Sequence, residues 1–251
     1  MVRVASDTDE GMSGDLLQHA PVQLFQPLGA WGLSSISPFC IKLETWLRLA
    51  GVPHEITVAD PRKAPRGKVP YVSINGALLG DSQLIIEHLT EARGILIDAE
   101  LTLQQHVWSH TLRKTVENSL YFHIVHARWI DPAGFAVYRS VIGGMMPAPV
   151  RLPGPYLIRR MVRRHLHGQG LGRYDDADRT ILAAADAEAL QLALAEAPFV
   201  LGDQPHSVDA SLYAMIASIL AFPVESALKT LFSRDEFTGY VARVEARLAG
   251  E

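Results

Sequence analysis

Ser37-Pro38-Phe39-Cys40-Ile41-Lys42-Leu43-Glu44-Thr45-Trp46-Leu47-Arg48-Leu49-Ala50-Gly51 is the stretch around which the rest of the chain is organised. A hydroxyl residue, then proline, then an amphipathic run stopped by glycine is the pattern of a helix with a marked start and end. A serine at such a start sets a side-chain oxygen and unpaired backbone N–H groups around one point, where an anion or a thiolate is stabilised. Two readings of Ser37 stand side by side: it caps the helix, or it also activates something bound there. Cys40, in the first turn, is the single cysteine. One cysteine rules out an internal disulfide and a Cys-rich zinc site.

Ahead of this helix, Val22–Phe25 reads as a strand, joined to it by a Gly-, Pro- and Ser-rich loop. Behind it, Gly51-Val52-Pro53 is a turn and Glu55–Val58 a second strand, so the unit is strand–helix–strand and the two strands are expected parallel. Lys68-Val69-Pro70 closes a loop dense in Pro and basic residues and leads into a third strand, Tyr71–Ile74. Asn75-Gly76 is a hairpin turn, and Ala77–Leu79 the return strand. Asp81-Ser82 opens a helix that ends near Gly94. The order βαβ-ββα predicts a thioredoxin-like α/β domain.

From Asp98 onward the pattern is helical. Apolar residues at helical spacing from Leu101 to Val125 predict one long helix over Asp98–Ile130, broken by Asp131-Pro132. Further helices are expected over Phe135–Ile142, Tyr156–His167, Asp175–Glu196 and Ser207–Ala221, with two shorter ones at the end. The expected division is a polar, disordered tail over 1–20, the α/β domain over 21–94 and an all-helical domain over 99–251. Arg159 to His167 is strongly basic. It reads as a solvated face answered by Asp175, Asp176 and Asp178 rather than as a membrane or partner surface.

Hydrophobic residues make up 48% of the 251, enough for a sizeable core, and the net charge of -4 gives no general reason to expect nucleic-acid binding. No apolar run reaches the length of a membrane span, and the composition is that expected of a soluble cytoplasmic protein. His106/His110 and His123/His126 could each share a helix face, but without a placed carboxylate or thiolate partner no metal site is expected.

A thioredoxin-like domain followed by an all-helical one resembles the cytosolic glutathione transferases, and motifs occur in the matching order. Ser37-Pro38-Phe39 resembles the start of the first helix in serine-type members, Lys68-Val69-Pro70 the segment ending in a cis-proline, and Asp81-Ser82 their acidic-Ser pair. Gly202-Asp203…Pro205…Asp209 resembles the motif opening the core helix of the second domain, although His206 stands where Ser or Thr is usual; Asp209 is expected to bond back to the His206 amide. A narrower resemblance, to the failed-axon-connections and metaxin branch, rests on Ile36-Ser37-Pro38-Phe39, Lys42 to Arg48, Asp81 to Leu89, and Glu117 to Tyr121 with Arg128, Trp129 and Asp131.

The resemblance implies glutathione as co-substrate and no metal. Val69 would pair its backbone with the glutathione cysteine, flanked by Lys68 and Pro70. Asp81 and Ser82 would hold the γ-glutamyl end. Ser37 would donate to the sulfur and lower its pKa, or a neighbour in the loop, Ser34, Ser35 or Trp31, would take its place. Trp31, Phe39, Tyr121 and Arg128 are the expected wall of a pocket for a small apolar electrophile, with Phe122 and Trp129 as further candidates. The family commonly forms homodimers. The competing implication is a non-catalytic scaffold of the failed-axon-connections and metaxin type. A third and weaker one is a thiol-disulfide or thiolysis enzyme using Cys40.

Overall fold

The computed structural model describes residues 21–250; the expected tail over 1–20 lies outside them. Four strands, β1 (Val22–Gln26), β2 (His54–Val58), β3 (Tyr71–Ile74) and β4 (Ala77–Gly80), form one sheet in the order β2-β1-β3-β4. β1 and β2 are parallel, as a strand–helix–strand unit requires, and β3 runs antiparallel to both β1 and β4. Asn75 and Gly76 have φ of 51° and 81°, the paired left-handed conformations of a two-residue hairpin turn. Helices α1 (Pro38–Leu49) and α2 (Ser82–Arg93) complete the thioredoxin-like half. Leu24, Val72, Leu43, Trp46, Leu47, Ile85 and Leu89 form its core.

The helical half contains α3 (Leu103–Thr115), α4 (Tyr121–Trp129), α5 (Pro132–Gly144), α6 (Pro153–Gln169), α7 (Asp176–Ala193), α8 (Ser207–Leu220), α9 (Ala227–Phe232) and α10 (Asp235–Ala249). The expected single helix from Asp98 is corrected in two places. Thr102 and Gln105 make a capping box, so α3 starts at Leu103. Asp98 instead reaches the start of α8, accepting from the Ser207 amide at 2.9 Å. Between α3 and α4, Val116–Leu120 is wound as a π-helix, a feature common at functional sites. The last helix, at 15 residues, is not short.

α8 is the axis of the molecule, buried along almost its whole length. Asp209, fully buried, anchors its start: Oδ2 accepts from the His206 amide at 2.8 Å, and Oδ1 from the Val200 amide at 3.1 Å and the Tyr240 hydroxyl at 2.8 Å. The expected bond back to His206 is thus made. α1 lies between the sheet and α8, with Trp46 Nε1 donating to Ser207 Oγ at 2.9 Å.

The basic helix α6 is not answered by the aspartates. Asp175 caps α7 by accepting from the Asp178 amide, and Asp176 pairs with Arg179. Among the described residues Arg160, Arg163 and Arg164 have no acidic partner, and the Asp175 and Asp176 carboxylates are spent on the start of the following helix.

Candidate functional site

Strand register brings three separated segments to one sheet end. Phe25 pairs with Tyr71, and Tyr71 with Gly80, in a single row. One step beyond that row lie the loop leading to Ser37, the Val69-Pro70 peptide and Asp81-Ser82. The Val69-Pro70 bond is cis. Val69 is half-buried and Lys68 exposed; the ladder begins only at Tyr71, so Val69 stands outside it.

At α2, Asp81 is the cap. Its Oδ1 accepts from the Gln83 and Leu84 amides at 3.1 and 3.3 Å. Ser82, the first helical residue and buried, keeps its amide outside that pair. A helix N-terminus with an amide and a hydroxyl on one residue can bind a carboxylate. Asp81 holds φ at 82°, a left-handed conformation that costs a non-glycine residue of order 1–3 kcal/mol.

At α1 the expected cap is not made. Ser37 is the N-cap residue, but its hydroxyl bonds no helix amide. Pro38 has no N–H, and the first paired amides, Cys40 and Ile41, go to the Ser37 carbonyl at 3.0 and 3.1 Å. Ser35 is held inward, its hydroxyl donating to the Pro27 carbonyl and accepting from the Ser37 amide. Ser34 is exposed. The half-buried Ser37 therefore keeps its hydroxyl free of capping duty, within hydrogen-bonding reach of the Cys40 thiol, and lines a cleft of about 90 Å³ together with Ile36, Tyr121, Arg128, Trp129 and Tyr138. Burial raises the pKa of the Tyr121 and Tyr138 phenols, so both stay protonated.

The remaining expected pocket residues separate. Tyr121 and Trp129 border the Ser37 cleft. Phe39 packs against Tyr121 with ring centroids 4.8 Å apart and the planes tilted at 59°. Trp31 packs edge-on against Phe222 at 5.0 Å and beside Tyr138. Phe122 faces a different cavity, with Ser119 and Tyr174. Arg128 lines the cleft but its guanidinium is engaged: it donates to the Ile36 carbonyl and the Ser218 carbonyl, both at 2.8 Å, and so ties the Ser37 loop to α8. Tyr138, like the aliphatic Ile36, Ile124 and Val125, lines the cleft without having been expected from the sequence.

A buried ion pair next to α2 was also not foreseen. Lys42, fully buried, donates to Glu117 Oε1 at 2.6 Å and to Gln83 Oε1 at 2.7 Å. Glu117 sits in the π-helix and also accepts from Ser211 Oγ at 2.9 Å, with Arg113 at 3.6 Å. Burial pulls the Lys42 pKa down while Glu117 pulls it back. The network fixes Gln83, one residue from Ser82, against the helical half.

Cys40 is fully buried, and burial pushes its thiol up to about 12, the hydroxyls of Ser37 and Ser35 acting the other way. Thiolate exchange needs the opposite environment. The folded protein is expected to leave Cys40 unreacted with an aromatic disulfide reagent at pH 8 and to react fully once denatured.

Among the described residues no cluster of His, Cys, Asp and Glu could hold a metal. His123 is buried, and desolvation first, then His126 and Arg179, lowers its pKa to about 4. Between pH 6.5 and about 4 the unfolded chain binds a proton that the folded one refuses. Stability from this group is therefore full above pH 6.5 and declines toward pH 4, by at most about 3 kcal/mol. His123→Gln should flatten that part of the stability–pH curve, measured by urea unfolding.

Comparison with known proteins places the chain in context. Residues 38–134 match the model of the glutathione S-transferase N-terminal domain, and residues 183–244 that of the glutathione S-transferase C-terminal domain. The chain is 35% identical over 201 residues to isoprene-epoxide–glutathione S-transferase of Rhodococcus sp. strain AD45, covering 77% of this chain and 84% of that protein. It is 28% identical to Failed axon connections of Drosophila melanogaster, covering 74% of this chain, and 27% identical to human metaxin-1, covering 80%. It spans 47% and 45% of those two longer proteins. Among solved structures, glutathione transferase GSTFuA3 of Phanerochaete chrysosporium superposes with a TM-score of 0.59 at 14% identity, covering 92% of this chain and 96% of that one. That likeness carries the fold.

Proposed function

Because this chain belongs to the glutathione S-transferase family, we propose that it binds glutathione across the sheet end formed by Ser37, Val69 and Ser82 and conjugates its thiolate to a small apolar electrophile. The supporting observation is that the Ser37 hydroxyl is relieved of capping, on a residue that lines a cleft walled by aromatic residues of the helical half. In this reading Ser82 takes the γ-glutamyl carboxylate on its amide and hydroxyl, and Val69 pairs with the cysteine backbone as an added strand does. The exposed Lys68 offsets ligand charge. Asp81 keeps its carboxylate for the helix and can still attract the α-ammonium. Ser37 donates to the sulfur, stabilises the thiolate and leaves it nucleophilic toward carbon. The Tyr121 and Tyr138 phenols, protonated, are available to hydrogen-bond an oxygen that gains charge as the electrophile opens.

An epoxide as the electrophile is supported by the Rhodococcus relative, whose name specifies one. Incubation with glutathione and short 1,2-epoxyalkanes, followed by mass detection of the thioether, tests it. Conjugation above the uncatalysed rate is the expected result; none with epoxides, haloalkanes or haloaromatics would remove the catalytic reading. The second reading, a non-catalytic protein of the Failed axon connections and metaxin kind, is favoured by one observation. The Lys42 and Glu117 motif residues, which carry that narrower resemblance, meet as a buried pair.

A homodimer is part of the same proposal. Leu103 and Val107, one turn apart on α3, and Trp108 are exposed, Leu103 at 87%, an apolar patch of the kind that marks a protein–protein contact. Light scattering should give twice the chain mass, and Val107→Asp should halve it.

A further inference from the structure

We propose that the outward face of α6, with the groove it forms against α5, docks the protein on the surface of an anionic lipid bilayer. Between Asp131 and Asp175 the chain has seven arginines and no acidic residue, although its net charge is -4. The positive charge is thus concentrated on one segment, and the structure shows how much of it is free. Arg159 is turned inward, donating to the Ile130 carbonyl at 2.7 Å and lying 4.1 Å over the Phe135 ring. Arg173 is bonded to the His167 carbonyl. Arg160, Arg163 and Arg164 project to solvent, without carboxylate partners among the described residues. At the other end Arg139 and Arg151 line a groove of about 590 Å³ with Ser140, Leu152 and Tyr156.

The same face is apolar as well as cationic. Leu152, Leu157 and Met161 are 81%, 62% and 66% exposed. Leu157 and Met161 are four residues apart and share a stripe, as do Arg160 and Arg164. Leu166, Gly154 and Pro155 hold the opposite face against the protein. Guanidinium groups bind phosphate oxygens in pairs, and aliphatic tips between them enter the boundary of headgroups and acyl chains. A nucleic acid would satisfy the arginines but offers no apolar phase for the leucines and the methionine. The helix lies on the membrane in this proposal; no helix among the described residues is long and apolar enough to cross one.

The test is sedimentation of the full chain with vesicles of phosphatidylcholine alone and of phosphatidylcholine with phosphatidylglycerol. Binding to the anionic vesicles only, weakened by salt, is expected. At about five-fold in affinity per arginine near the surface, reversing three charges in Arg160→Glu/Arg163→Glu/Arg164→Glu should cost about 100-fold or more. Leu157→Ser/Met161→Ser should weaken binding while leaving its salt dependence. Both variants are on the solvent face, and their transferase activity in solution should match the parent. Equal or absent binding to the two vesicles, a triple variant that binds like the parent, or retention on RNA without binding to vesicles would overturn the proposal. So would a dimer in solution that is lost in Leu157→Ser/Met161→Ser without any vesicle binding.

Discussion

Ser37→Ala is expected to lower kcat for glutathione conjugation by about 10²-fold, the usual effect of deleting one donor to a charge formed in the reaction, while changing glutathione affinity little. The hydroxyl is the only part removed. Because it makes no bond to a helix amide, α1 should keep its start, with the Ser35 hydroxyl still on the residue-37 amide. The direct readout is the thiolate absorbance of bound glutathione as a function of pH. Its titration should move upward by about two units, since each unit is about 1.4 kcal/mol of lost preference for the charged form. Ser37→Thr, which keeps the hydroxyl, should retain most of the activity. A variant that loses thermal stability but not the bound-thiol pKa would assign Ser37 a structural role instead.

Lys42→Met carries the largest expected cost in stability. It strands the Glu117 carboxylate in the interior with only Ser211 and the more distant Arg113. Leaving one member of a buried pair costs about 3–5 kcal/mol, and the two remaining partners put the value at the lower end, a fall in Tm of about 10 °C. Lys42→Met/Glu117→Leu should recover more than half of the loss, because the pair is nearly balanced by its desolvation. The comparison of single and double variants by calorimetry measures the coupling.

What the sequence made legible was local. Ser37-Pro38, Asn75-Gly76, Asp81-Ser82 and Asp131-Pro132 each prescribe a turn or helix end from neighbouring residues, and each turn or end stands where they put it. The strand–helix–strand order gave a parallel β1–β2 pair for the same reason. What escaped depended on residues far apart. A lysine on an amphipathic helix reads as solvated; Lys42 is buried because Glu117, 75 positions on, meets it. The π-helix at Val116–Leu120 shifts hydrogen-bond partners by one residue without erasing the apolar spacing, so a continuous helix was the natural reading. The family resemblance puts Arg128 in the pocket wall, and it does line the cleft. What the sequence does not show is that its guanidinium is committed to two carbonyls brought together only by the folded chain. Tyr138 reached the cleft through the turn at Asp131-Pro132, which folds α5 back on α4.

The measurement that bears most directly on the proposed function is calorimetric titration of the parent protein and of Ser82→Ala with glutathione. The parent should bind one glutathione per chain, and Ser82→Ala at least ten-fold more weakly, the order expected for a hydrogen bond to a charged group. No heat from the parent at millimolar glutathione, or equal affinity in the two proteins, would contradict a glutathione site at this end of the sheet.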